Sequence, residues 1–157
     1  MTTAWAAFVG RGGAWVVMQV VLMVASIVAG PLWRAHAQPI LLRDVGSVLI
    51  AIGGAFGIAG VAVLGASRTI FPKPRAEAIL VREGVYQWVR HPLYFCLILI
   101  SVGWCFWWAS WPAGVVAVFM GIFLDAKARR EEAWLREWFE DYDSYSKGVK
   151  RLIPGIY

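Results

Sequence analysis

The chain is divided into long uncharged blocks separated by short polar stretches. Two blocks, 14–33 and 45–65, carry no charged residue, and two more, 93–110 and 112–124, are separated by Trp111 alone. A helix that spans a bilayer needs about 20 apolar residues. The pattern therefore predicts four transmembrane helices over these ranges. The last must continue beyond its apolar block, because roughly 20 Å of helix is too short to cross the membrane alone.

Composition places the chain among membrane proteins. Of its 157 residues, 60% are hydrophobic and only 16% are charged, far from the averages of soluble domains. We expect one all-α, polytopic membrane domain over residues 1–157. The net charge of +5 comes from basic residues beside apolar blocks rather than from one basic run. Nucleic acid is therefore not an expected partner, whereas membrane lipids are.

Small residues inside the apolar blocks predict helix packing rather than chemistry. Gly53 and Gly57 form a G-x-x-x-G arrangement, which lets a second helix approach closely. Packing within the same chain is the simpler interpretation and a homodimer interface is the alternative, so the oligomeric state, monomer or homodimer, stays open. Cys96 and Cys105 lie in one apolar block with a spacing that suits neither a metal site nor a disulfide framework, and we treat them as small hydrophobic residues.

The distribution of basic residues predicts which helix ends face the cytoplasm. The stretch 66–92 carries five basic residues against two acidic ones, so the positive-inside rule makes it a cytoplasmic loop. Four spans return the chain to the same side, and residues 125–157, a charged amphipathic helix and a tail, are therefore expected to be cytoplasmic too. Trp104, Trp107 and Trp108 would form an aromatic belt at the opposite interface.

Candidate chemistry is concentrated in two polar clusters at the membrane boundary. The first cluster, Tyr86 to Tyr94, places Arg90 and His91 directly before an apolar block. Pro92 suits the first turn of a helix and pushes His91 out of the helical region. We therefore expect a membrane helix to begin near Pro92, with free N–H groups at its start that favour an anionic ligand group.

The second cluster, Lys127 to Glu132, follows the last apolar block. The minimal turn between the last two spans brings it to the same side of the membrane as the first cluster. Ionisable groups at this depth are candidates for function. The alternative is that Arg90 and His91 reach lipid headgroups and that Lys127 to Glu132 form a solvated, salt-bridged surface.

The order and spacing of several motifs between Phe71 and Tyr157 resemble those of one family. These motifs are Leu80-Val81, Gly84-Val-Tyr86, Arg90-His-Pro-x-Tyr94 and Glu131-Glu132-x-x-Leu135, followed by Phe139, Tyr142, Tyr145, Val149 and Leu152-Ile-Pro-Gly155. Together they resemble the isoprenylcysteine carboxyl methyltransferase family and its bacterial relatives, and the phospholipid methyltransferases share the same C-terminal plan. The resemblance covers over half of the chain.

The resemblance implies a membrane-embedded methyltransferase with a cytoplasmic site for the cofactor S-adenosyl-L-methionine. The residues that it assigns to the cofactor are Ala78, Ile79, Leu80, Val81, Tyr86, His91, Pro92, Leu93, Tyr94 and Glu131. A substrate-binding arginine of the family is replaced here by Lys127, and Arg130 and Arg90 are further candidates for acceptor binding. We assign no catalytic residue and no metal ligand, because methyl transfer is a direct displacement that mainly requires alignment of donor and acceptor.

The resemblance also sets the hypotheses for the reaction. The expected acceptor is lipid-like or prenylated, with O-methylation of a carboxylate as the first hypothesis. Lys127, and Ala78 where eukaryotic members have histidine, are departures that leave the acceptor open. The alternatives are phospholipid-type N-methylation, an NADPH-dependent membrane sterol or enone reductase, and a non-enzymatic membrane scaffold. The reductases continue a similar R-H-P-x-Y string with a glycine-glutamate pair, where this chain has Phe95-Cys96. The four-span layout further predicts a bacterial inner-membrane protein.

Overall fold

A computed structural model describes residues 2–65 and 79–157 of the chain. The elements in order are α1 (Thr2–Gly10), α2 (Gly13–Leu32), α3 (Ile40–Leu64), a 3-10 helix (Gly84–Gln87), α4 (Pro92–Trp108), α5 (Trp111–Trp138) and α6 (Tyr142–Gly148). Within these described ranges the only strand-like pairing is one isolated parallel bridge between Val89 and Lys150. The predicted all-α architecture is confirmed.

Three of the described helices, α2, α3 and α5, are long and apolar enough to cross a membrane. The apolar helix α4 is shorter, at 17 residues. The helices expose large apolar side chains on their outer faces, among them Val21, Ile58 and Ile122. Apolar surface of this extent is stable in contact with lipid rather than water. The architecture is therefore that of a multi-pass membrane protein.

The helices differ most from the sequence-based ranges at two places, the start of α3 and the short helix α1. Helix α3 begins at Ile40 rather than at residue 45, so its first turns include Arg43 and Asp44. Both side chains are exposed. A membrane helix can continue beyond its apolar residues into charged turns, because its backbone hydrogen bonds are made within the helix. The short helix α1 is not signalled by the pattern of charged residues, since it is apolar and only nine residues long.

Helices α3 and α4 approach closely along a line of glycines. A Cβ atom added to Gly46 would lie 2.6 Å from the carbonyl oxygen of Gly103, and one added to Gly53 would lie 3.0 Å from that of Cys96. Such short distances mean that the two backbones touch, as small residues allow in membrane helices. The face of α3 that carries Gly53 is thus used for packing within the chain.

A tight hairpin joins α4 to α5 and returns the chain to the end where α4 began. Ala109 adopts a left-handed conformation with φ 47°, and Ser110 caps α5 by accepting a hydrogen bond from the Ala113 N–H. The Ser110 hydroxyl also donates a 2.9 Å hydrogen bond to the carbonyl of Ala29 in α2. Since α5 is one uninterrupted helix to Trp138, it carries the second polar cluster back to the first.

Candidate active site

The start of α4 holds an aromatic pair formed by His91 and Tyr94. His91 has φ −124° and ψ 65°, outside the helical region, and Pro92 is the first helical residue, as the sequence predicts. The imidazole and the Tyr94 ring are stacked, with centroids 5.2 Å apart and planes 3° from parallel. His91 is 7% exposed and Tyr94 is half-buried, so this pair forms a largely buried wall at the start of α4.

The carboxylate of Glu131 on α5 faces this pair. The Tyr94 hydroxyl donates a 2.8 Å hydrogen bond to Glu131 Oε2, and His91 Nδ1 lies 3.6 Å from the same oxygen. The Glu131 side chain keeps 23% of its surface exposed. Glu131 is therefore an oriented carboxylate with one accessible edge, which suits a cationic ligand group.

Lys127 lies one helical turn before Glu131 and is almost fully buried, at 3% exposure. Its ammonium donates a hydrogen bond to the side-chain oxygen of Gln19 on α2 and lies 5.1 Å from the centre of the Tyr94 ring. Motif reasoning missed Gln19. The available signal was a single amide side chain inside an otherwise apolar span, a position where polar groups are costly.

Glu132 is completely buried and is surrounded by basic side chains. Its carboxylate lies 2.9 Å from the Arg90 guanidinium, 3.1 Å from Arg151 Nε and 3.3 Å from His91 Nε2. The alternative of a solvated, salt-bridged surface from Lys127 to Glu132 is therefore wrong, because both of these end residues are buried. Arg151 was not predicted, and nothing in its local sequence identifies Glu132 as its partner.

The Arg90 side chain holds the C-terminal segment against the start of α4. In addition to Glu132, it donates hydrogen bonds to the backbone carbonyls of Ser146 and Val149. The backbones of the two segments are also hydrogen-bonded to each other. The Arg90 N–H donates to the Lys150 carbonyl at 2.8 Å, and the His91 N–H donates to the Arg151 carbonyl at 3.1 Å. These contacts occupy the Arg90 guanidinium within the protein and favour a structural role over acceptor binding, which stays a prediction.

Tyr86 lies in the 3-10 helix and is 8% exposed. Burial and the nearby Glu131 carboxylate raise the pKa of its hydroxyl well above 10, so Tyr86 is neutral and can donate a hydrogen bond at physiological pH. Its backbone carbonyl accepts a 2.6 Å hydrogen bond from the Tyr145 hydroxyl, and burial raises the pKa of Tyr145 to about 12. This pair fixes the 3-10 helix beside the site.

The remaining residues that were predicted to bind a ligand lie in three kinds of place: an irregular segment, a helix contact and the protein surface. Ile79, Leu80 and Val81 form an irregular segment whose backbone makes no hydrogen bond with other described residues, and Ala78 lies outside the described ranges. Pro92 is buried and Leu93 half-buried, and both pack against Gly60 of α3. Arg130 is exposed, with its guanidinium 4.6 Å from the ring centre of Trp134. Their ligand contacts stay predictions.

Comparison with known proteins gives two matches. The family model for phospholipid methyltransferases matches residues 42–142, a range that contains His91, Tyr94, Lys127 and Glu131 but neither Gln19 nor Arg151. A protein-S-isoprenylcysteine O-methyltransferase from Dictyostelium discoideum is 33% identical over 95 residues, which cover 53% of this chain and 36% of the relative. The chain thus matches only about a third of that relative's length.

Proposed function

Because the chain belongs to the phospholipid methyltransferase family, we propose that it is an integral membrane methyltransferase. It transfers a methyl group from S-adenosyl-L-methionine to the carboxylate of a lipid-like, prenylated acceptor. The observation that carries this proposal is the oriented Glu131 carboxylate, held by the Tyr94 hydroxyl at 2.8 Å beside the buried ammonium of Lys127. This arrangement offers an anionic and a cationic recognition point at the end of apolar helices.

The residues present fit the cofactor. S-adenosyl-L-methionine supplies a methyl group on a positively charged sulfur, together with an ammonium, a carboxylate and an adenine. The exposed edge of Glu131 suits the ammonium by a charge-assisted hydrogen bond, and the Tyr94 and Tyr86 rings suit a cation or an adenine face. The backbone of Ile79–Val81, which is unpaired with other described residues, suits the polar edge of a base.

The acceptor is assigned from the position of Lys127. Its ammonium is buried between α2, α4 and α5, through its contacts with Gln19 and Tyr94, so an acceptor that binds it must enter between these helices. An ammonium in this place holds an anionic acceptor. A carboxylate acceptor is already ionised at neutral pH, so Lys127 and the surrounding aromatic side chains have only to align it and exclude water.

We propose that the site faces the cytoplasmic side of the membrane. The residues before α4 and those after the apolar part of α5 meet at one end of the helices, as the ion pairs Arg90–Glu132 and Arg82–Asp141 demonstrate. The positive-inside rule assigns the basic stretch before α4 to the cytoplasm, and its described arginines, Arg82 and Arg90, lie at this end.

N-methylation of a phospholipid amine is the second candidate, because the matching family model is named for phospholipid substrates. An amine must lose a proton before it can attack a methyl group, which requires a base at the site. The candidate bases are His91 and a glutamate, but the two ring nitrogens of His91 face Glu131 and Glu132, at 3.6 and 3.3 Å. We assign the accessible edge of Glu131 to the cofactor ammonium, and Glu132 is fully buried. This geometry favours the carboxylate over the amine.

The test is methyl transfer by the purified protein in lipid nanodiscs, with S-adenosyl-L-methionine labelled in its methyl group. A prenylated cysteine with a free carboxylate and a phosphatidylethanolamine are offered separately. We expect label in the prenylated cysteine as a methyl ester, which alkali releases as methanol. Alkali-stable label in the phospholipid would establish N-methylation instead. Failure of S-adenosylhomocysteine to bind, with binding of NADPH, would overturn the methyltransferase assignment.

A further inference from the structure

A second polar site lies at the other end of the helix bundle. A cleft of about 750 Å³ is formed where α2 ends, where α3 begins and where α4 ends. The connection between α2 and α3 contributes Arg34 and His36, α3 contributes Arg43, and α4 contributes Trp107 and Trp108. We call it the distal cleft, because α4 separates Trp107 from the His91 end by about 25 Å.

The two arginines of the distal cleft lack the ion pairs that the other end of the molecule provides. Near the candidate active site, five arginines each contact a carboxylate: Arg82, Arg90, Arg129, Arg136 and Arg151. In the part of the chain that the structure describes, Arg34 and Arg43 form no such pair. None of the described residues that line the distal cleft is acidic. Two guanidinium groups without counter-charge at one cleft attract an anion.

The walls of the distal cleft are fixed by the fold. The Arg43 guanidinium lies 4.6 Å from the centre of the Trp107 ring, which holds its plane while leaving N–H groups at its edge. The Ala35 N–H donates a 3.2 Å hydrogen bond to the Trp108 carbonyl and ties the connection that carries Arg34 to the end of α4. The cleft is therefore formed before any ligand binds, which lowers the entropy cost of binding.

The chemistry of the cleft selects a phosphate group, and its position selects a membrane lipid. A guanidinium fork matches phosphate oxygens with two parallel hydrogen bonds. Leu32 and Trp33 beside the cleft are 63% and 53% exposed, as expected where helices meet the headgroup region. We propose that the distal cleft binds the phosphate-bearing headgroup of an anionic phospholipid in the leaflet opposite the candidate active site.

The proposal is tested by lipid binding to the detergent-purified full chain, measured by native mass spectrometry. Phosphatidylglycerol and phosphatidylcholine are titrated against the wild type, the double variant Arg34→Gln/Arg43→Gln, and Lys147→Gln. Lys147 is an exposed cation on α6 and controls for the loss of a positive charge. We expect the wild type and the Lys147 variant to prefer phosphatidylglycerol. The double variant should lose roughly ten- to fiftyfold in affinity for it.

Three further measurements keep the result decisive. If the double variant fails to fold, judged by circular dichroism and gel filtration, the single variant Arg34→Gln replaces it, since Arg34 is exposed on a connection; a loss of about fivefold is then expected. The variant Arg34→Lys/Arg43→Lys keeps the charge but loses the guanidinium forks, so its affinity for phosphatidylglycerol should lie between those of the wild type and the double glutamine variant. Unchanged phosphatidylglycerol binding in the glutamine variants would overturn the proposal. If inorganic phosphate competed with phosphatidylglycerol at equal affinity, the distal cleft would be a site for free phosphate and the proposed lipid ligand would be wrong.

Discussion

The Arg90 guanidinium and the Glu132 carboxylate form a 2.9 Å ion pair in which the Glu132 side chain has no solvent exposure. Arg151 and His91 approach the same carboxylate from the C-terminal segment and from the start of α4. Three parts of the chain that are distant in sequence therefore meet at one buried charge. An uncompensated buried charge is costly. The candidate site therefore keeps its shape only while this cluster of ion pairs is intact.

We expect Glu132→Gln to destabilise the protein by about 3 to 5 kcal/mol, because it removes the carboxylate that pairs with the largely buried Arg90 and leaves Arg151 with Asp125 as its remaining described carboxylate partner. The measurement is thermal or denaturant unfolding in detergent. Asp143→Asn is the matched control, since Asp143 pairs with Arg136 at the surface, where ion pairs contribute little. Equal effects of the two substitutions would contradict the central role of Glu132.

Glu131→Gln should weaken binding of S-adenosyl-L-methionine by about 1.5 to 3 kcal/mol, the range of a charge-assisted hydrogen bond. The measurement is calorimetric titration with S-adenosylhomocysteine. Glu137→Gln, an exposed carboxylate on the same helix, should leave the affinity unchanged. An unaltered dissociation constant for the Glu131 variant would remove this residue from the cofactor site.

Lys127→Met should reduce turnover of an anionic acceptor by roughly ten- to a hundredfold, equivalent to about 1.4 to 2.7 kcal/mol. The physical reason is loss of the buried ammonium with little change in side-chain volume. Affinity for S-adenosylhomocysteine should barely change. Gln19→Met is the matched control, because it alters the partner of Lys127 and keeps the charge. Loss of cofactor binding with normal acceptor kinetics would instead place Lys127 in the cofactor site.

Gly46→Ala should lower the unfolding free energy by about 1 to 3 kcal/mol, the usual cost of overpacking. Its added methyl group would meet the Gly103 carbonyl oxygen at 2.6 Å, whereas a methyl group at Gly54 on the same helix meets nothing within 4 Å. Gly54→Ala should therefore be tolerated. Thermal unfolding in detergent compares the two variants, and equal stability would contradict the close approach of α3 and α4.

The sidedness of the site is tested by cysteine labelling in a background that lacks Cys96 and Cys105. A cysteine at Trp111, which is 77% exposed in the hairpin, and one at Ser144, which is exposed on α6, should react from opposite sides of the membrane. A membrane-impermeant maleimide on intact cells and on inverted vesicles distinguishes them. Reaction of both from the same side would exclude the proposed four-span topology.

The sequence predicted the features of the molecule that depend on local chemistry. Absence of charge along 14–33 identified the membrane helix that the structure places at Gly13–Leu32, and the stereochemistry of Pro92 located the start of α4. The motif residues of the resemblance also identified Tyr94 and Glu131 as part of one site, and the structure joins them by a hydrogen bond.

The features that the sequence did not predict depend on contacts between distant residues. Gln19 and Lys127 are separated by 108 positions, and neither has a neighbour in sequence that indicates the other. Glu131 and Glu132 are adjacent on one helix and therefore lie on different faces, but helical periodicity does not show that the Glu132 face is buried against Arg90 and Arg151. Burial of a charged residue follows from its partners, which local patterns do not encode.

The pairing of the C-terminal segment with the start of α4 has a consequence for the order of folding. Arg90 and Val149 are 59 positions apart, and the chain between them contains α4, α5 and α6. Contacts of such long sequence separation form late, because the loop that they close must be ordered first. During synthesis, the surroundings of His91 and Glu132 are therefore completed only after residues 149–151 have left the ribosome, so binding capacity follows the emergence of the segment after α6.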